Sequence, residues 1–171
     1  MSPNVKLPGN WKNFLHNDDN KDELFQFLGA ESVSKDTGDR VIISTVHESV
    51  VSSNMNHNLD GLQPCSHEEA DTRILLHVKD ALNSGFKDVM IRTVATDVVV
   101  LAVAHFQNLE NLEKLWIAFG TGKEFRYIPV HEIATAIGPE MAKGLPFFHA
   151  FSGCDTTSSF ANNGKKSAWN I

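Results

Sequence analysis

Ser66 to Asp97 reads SHEEADTRILLHVKDALNSGFKDVMIRTVATD, a helix followed by a strand, with acid at both ends. Ser66 with Glu69 three residues on matches a capping box, which opens a helix there. Ala70, Ile74, Val78, Ala81 and Leu82 recur at three- and four-residue intervals and give one apolar stripe for a core. Asn83-Ser84-Gly85 supplies the stop, and Val89 to Val94, short and rich in β-branched residues, reads as a buried strand. A helix of about seventeen residues covers roughly 25 Å, and a strand of about seven returns roughly 23 Å. The chain thus comes back to the level where the helix began. This predicts Asp97 beside Glu69 and Asp71 at the carboxyl edge of a sheet, where open α/β folds bind ligands.

The rest of the chain is consistent with one domain or one incomplete larger one: 171 residues, 42% apolar, enough for a core. No apolar run reaches transmembrane length, so no membrane partner is expected. The opening MSPNVKLPGN lacks the apolar segment of a secretory signal. Two cysteines, Cys65 and Cys154, are too few for a disulfide framework and favour an intracellular, reducing setting. A net charge of −6 argues against a broad basic surface for nucleic acid, although cations bound to a carboxylate cluster would offset part of it.

Before the deciding stretch, Trp11, Phe14 and Leu15 suggest a turn or two of helix. Asn20 followed by Glu23 resembles a cap for a short helix through Leu24, Phe25, Phe27 and Leu28, ended by Gly29. Val41 to Thr45 and Val50 to Ser52 read as a hairpin. After it, VVVLAVAHF is read as a buried helix opened by Thr96 or Asp97 as cap. Leu115 to Phe119 and Phe125 to Ile128 flank Gly120-Thr121-Gly122 as a second hairpin. Pro129 to Ile137 forms a helix stopped by Gly138-Pro139. Glu140 to Leu145 adds a turn, and FFHAF (Phe147 to Phe151) a buried helical piece leading into Ser152-Gly153-Cys154-Asp155.

Glu68, Glu69 and Asp71 form the densest acidic group. Helix-dipole compensation alone would account for them, at roughly 0.3–1 kcal/mol each. Asp97 at the same edge and Asp155 after a buried segment change the weighing, because converging carboxylates repel unless protons or cations neutralise them. Hard divalent cations such as Mg²⁺ take such oxygen ligands and keep some water. Two of them near a phosphate would generate hydroxide and stabilise the leaving oxygen.

His67 to Arg73 (HEEADTR), Thr93 to Ala102 (TVATDVVVLA) and Phe148 to Phe160 (FHAFSGCDTTSSF) together resemble the PIN-like fold of the flap-endonuclease (XPG-type) superfamily. More closely, they resemble uncharacterised PIN-like proteins of mobile-element type. The resemblance runs from about Cys65 to Trp169 and implies an incomplete three-layer α/β domain with a mainly parallel central sheet. It also implies Mg²⁺ or Mn²⁺ as cofactor and DNA or RNA as substrate. Carried over by motif, Glu69 and Asp71 match the acidic helix start, Asp97 the second acid of the strand end, and Asp155 the Gly-x-Asp turn. These four are the expected catalytic and metal-holding residues, with Glu68 and Arg73 secondary. Asn162 to Ala168 resembles the glycine hairpin of the family's helix–two-turn–helix, so Gly164, Lys165 and Lys166 are the expected nucleic-acid contacts. The implied division is 1–64 helical and hairpin, 65–161 nuclease core, and 162–171 the start of a helix–two-turn–helix cut short. Two departures bear on activity. Ala95 stands where the pattern has the first acid of the strand-end pair, and nothing before Cys65 matches the family's early acidic strand. Both imply impaired cleavage, or a non-catalytic remnant that binds nucleic acid or protein.

Weaker signals point elsewhere. Gly120-Thr121-Gly122-Lys123 lacks the spacing of a phosphate loop and reads as a turn. Cys65, His67, His149 and Cys154 lack the paired spacing of a usual zinc site. The other histidines are scattered and read as packing or surface residues. Arg73 and Arg92 are expected to neutralise the acids or to touch phosphate.

Overall fold

The computed structural model describes residues 6, 8–35, 37–63, 65, 70–154 and 165–169. It is a mixed α/β protein that divides into two compact units, Met1–His67 and Glu68–Ile171.

In the first unit a single turn, α1 (Trp11–Phe14), precedes α2 (Asp18–Val33). Asn17 caps α2, its side chain accepting the N–H groups of Asp19 and Asn20. Asn20, the expected cap, lies inside the helix and donates instead to the Phe14 carbonyl. Gly29 does not end the helix either. It is buried because β1 (Ile43–Val46) crosses there: a Cβ on Gly29 would lie 2.9 Å from Ser44 Oγ and 3.1 Å from Val46 Cγ2. The glycine serves close packing rather than helix termination. β1 pairs antiparallel with β2 (Ser49–Ser52), which is the hairpin the sequence predicts.

The second unit opens with α3 (Ala70–Asn83), whose expected capping residues Ser66 and Glu69 lie outside the described residues. It continues through β3 (Asp88–Thr93), α4 (Thr96–His105), β4 (Lys114–Phe119) and β5 (Arg126–Pro129). Then come α5 (Val130–Ile137), α6 (Pro139–Phe151) and α7 (Lys165–Trp169). β3 and β4 run parallel, joined by the α4 crossover, and β5 returns antiparallel to β4. Leu115 and Ile117, two apart on β4, point to the same face and are fully buried. Val78 from α3, Ile91 from β3, Val98, Ala102 and Val103 from α4, Val130 and Ala134 from α5 and Ala142 from α6 complete that core. Full burial of a side chain such as Leu115 stabilises the fold by roughly 1.5–3 kcal/mol.

Two further expectations need correction. The sheet is mixed, with one parallel and one antiparallel pair, rather than mainly parallel. α3, α4, α5 and α6 contribute to the core around Ile91 and Ile117, while Met90, Arg92 and Tyr127 on the other face of the sheet are exposed. FFHAF is not buried. α6 runs without interruption through Pro146, and Phe147 and Phe151, one turn apart, are 74% and 57% exposed and stack on each other. A run so rich in aromatic residues masked the helical period that puts two of its rings in solvent. Among the described residues no helix is long and apolar enough to cross a membrane.

Candidate functional site

The site forms where β3 hands over to α4. Thr93 Oγ1 accepts the Ala95 N–H at 3.0 Å, which turns the chain, and Ala95 takes the cap position without contributing a side-chain bond. Neither Thr96 nor Asp97 is therefore the cap. Both lie in the first turn of α4, which leaves the Asp97 carboxylate free to reach sideways while still facing the positive end of the helix dipole.

Its partner comes from 52 residues along the chain. Asp97 Oδ1 lies 2.7 Å from Nε2 of His149, in the last turn of α6. The imidazole is only 12% exposed against 36% for the carboxylate, so the pair is half withdrawn from water. Lys165 Nζ, from α7, lies 2.6 Å from the other ring nitrogen, Nδ1. An ammonium has only donors, so Nδ1 accepts and the ring proton sits on Nε2, donated to Asp97. The network fixes one neutral tautomer.

The end of α6 brings in a third group. Ser152 is buried, and its hydroxyl donates to the Phe148 carbonyl at 2.6 Å, closing the last turn. Gly153 follows at φ 99°, a left-handed conformation that a side chain would strain, and reverses the chain. Cys154 is thereby returned to the helix end. One ligand atom each from Asp97, His149 and Cys154 lie within 4.8 Å of one another. Beside them opens a cavity of about 330 Å³ with walls from Val100, Ile133, Leu145, Phe148 and Trp169, and with His149 and Lys165 on its lining. Phe148 and Trp169 meet edge to face.

Of the residues singled out by sequence, Asp97 is at this site and so is Lys165. Asp71 sits half-buried in the first turn of α3 and is not a member of the converging trio. Glu68, Glu69, Asp155 and Gly164 lie outside the described residues, and Lys166 is exposed on α7. Arg73 is buried. Among the described residues Arg92 meets no carboxylate: its guanidinium donates to the carbonyls of Thr93, Ala118 and Gly120 and lies over the Phe125 ring, tying the ends of β3 and β4 together. His149 and Cys154 were visible in the sequence but set aside for lacking the paired spacing of a usual zinc site; the structure supplies Asp97, far along the chain, as their partner. Cys65 belongs to the other unit, and His67 lies outside the described residues.

The donor chemistry decides which ion suits the described residues. Mg²⁺ and Mn²⁺ take carboxylate, carbonyl and water oxygens, whereas this trio offers one oxygen, one imidazole nitrogen and one thiol sulfur. The described set does not fit the ions that the family resemblance implies. No family model matches the chain, and neither a curated protein nor a solved structure matches it.

Proposed function

We propose that the stretch from about Cys65 to Trp169 belongs to a PIN-like domain of the flap-nuclease type that hydrolyses DNA or RNA phosphodiesters at the carboxyl edge of β3. The observation that supports this reading is the placement of Asp97. It stands at the strand end, opens the following helix, and draws a histidine and a lysine from distant segments into one half-buried cluster. The chain's own contributions follow from the geometry. Lys165 and Lys166 open α7 and supply positive charge for backbone phosphates, holding a strand without reading its sequence. Trp169, 44% exposed beside the cavity, offers a ring on which an unpaired base can stack.

Ala95 favours a second reading, binding without cleavage. Its methyl group stands at the turn where the resembling family carries an acid. The two readings part in one assay: cleavage and retention of flap and single-stranded substrates by wild type, Asp97→Ala and Lys165→Ala/Lys166→Ala. Hydrolysis lost in Asp97→Ala supports the nuclease. Retention weakened only by the lysine changes, with no product in any chain, supports the binding module. A wild type that neither retains nor cleaves nucleic acid removes both.

A further inference from the structure

The mismatch between the described donors and an all-oxygen ion leads to a different centre. We propose that Asp97, His149 and Cys154 form a site for a zinc-class ion, with carboxylate oxygen, imidazole Nε2 and thiolate as three ligands and water in a fourth position. This goes beyond the phosphodiesterase reading and survives its failure, since nothing in it requires that a phosphate be cleaved.

Three features carry the proposal. The first is composition. Zinc accepts sulfur, nitrogen and oxygen in one tetrahedral shell, and three protein ligands with one open position are the pattern of zinc sites that do chemistry. The second is distance. Bonds of about 2.0–2.3 Å put tetrahedral ligand atoms roughly 3.3–3.8 Å apart. The trio already lies within 4.8 Å, so its widest gap needs to close by only about 1 Å, and the 2.7 Å contact between Asp97 and His149 needs to open by about 0.6 Å. Rotamer adjustment at a half-exposed carboxylate covers such shifts. The third is construction. The ligands come from two rigid helix ends, the first turn of α4 and the last of α6, with the Gly153 turn directing the cysteine back toward them. α4 and α6 pack directly on each other, so the scaffold does not have to form when the ion arrives.

Lys165 sharpens the proposal. It now donates to Nδ1, which holds the ring proton on Nε2, where the ion would bind. Ligation through Nε2 moves that proton to Nδ1, which then becomes a donor and repels the ammonium. Lys165 must swing away, and its side chain is exposed, so it can. The thiol gives up its proton to become a ligand, so about one proton leaves per ion bound. Lys165 is thus a competitor of the metal, and removing it should leave zinc affinity unchanged or raise it. The same change should weaken phosphate binding, which separates this site from the phosphate-binding role of α7.

The test uses the whole chain, reduced and stripped of metal, titrated with Co²⁺ and then Zn²⁺. Expected are a thiolate-to-cobalt charge-transfer band with intense tetrahedral d–d absorption, one ion per chain, and bleaching by Zn²⁺ but not by Mg²⁺. Cys154→Ser should abolish the charge-transfer band and weaken zinc at least about tenfold, a lost ligand costing no less than a lost supporting contact. Cys65→Ser should change nothing, and Lys165→Ala should bind as well or better. A readout without any variant guards against misfolding: Zn²⁺, and not Mg²⁺, should slow alkylation of Cys154 in the wild-type chain. No charge-transfer band in the wild type, a band that persists in Cys154→Ser, or unprotected Cys154 under saturating zinc would each overturn the site. Cleavage in Mg²⁺ without a cobalt band would keep the phosphodiesterase and sink this centre, and zinc binding without cleavage would do the reverse.

Discussion

The two units of this chain are held together by different means. In the first, the described residues include only two fully withdrawn hydrophobic side chains, Val50 and Leu62, while Phe25 and Leu28 on α2 remain 63% and 51% exposed. Order comes from local polar bonds: Asn10 and Asn17 cap helices, and Asn54 and Asn58 accept from backbone N–H groups two residues on. α2 meets its hairpin through a bare glycine backbone at Gly29. In the second unit one continuous apolar cluster joins four helices and two strands. A site built on its helix ends inherits that rigidity. The candidate centre accordingly lies in the unit with the continuous apolar core.

The largest expected effect contrasts the two directly. Leu115→Ala or Ile117→Ala should destabilise by about 2–5 kcal/mol, because each leaves a cavity in a close-packed layer. Phe25→Ala should stay within about 0.5 kcal/mol. Urea denaturation measures both, and equal losses would erase the distinction. Next, Gly29→Val should cost about 1–3 kcal/mol, since the added carbons meet Ser44 and Val46 where the hairpin crosses the helix. A stabilised variant, as helix propensity alone would give, would show that the approach is not close.

The smallest effect is a pH dependence inside the second unit. His77 is half-buried on α3, and burial, reinforced by the Arg73 guanidinium one turn earlier, holds its imidazole below the usual value of 6.5, with Asp80 opposing. A depressed histidine means that the unfolded chain binds the proton more readily. Its contribution is therefore complete above about pH 6.5 and is lost as pH falls from there toward the folded value. Thermal unfolding between pH 7.5 and 5 should decline less steeply in His77→Gln than in wild type. Parallel declines would locate the loss elsewhere.

Most of the secondary structure was legible because its signals are local. Short β-branched runs either side of a polar turn mark β1 and β2, the stripe through Ile74, Val78 and Leu82 marks α3, and the Gly120 turn marks the second hairpin. The misreadings occurred where a residue's role depends on what crosses it. Gly29 reads as a stop until β1 is known to lie on it, and FFHAF reads as buried until α6 is known to turn two of its rings outward. The site divides in the same way. Asp97 was legible from rise per residue, which placed it at a strand end. His149 and Cys154 were not, because pairing across 52 residues leaves no spacing rule behind.

The meeting of Asp97 with His149 is the point on which both the proposed function and the zinc-class site stand. Long-range ¹⁵N–¹H imidazole spectra of the metal-free chain, at a pH where the ring is neutral, read it directly. Expected for His149 is a single Nε2–H tautomer with Nδ1 unprotonated, a preference that Asp97→Asn weakens. A ring sampling both tautomers, with a spectrum indifferent to Asp97→Asn, would contradict it.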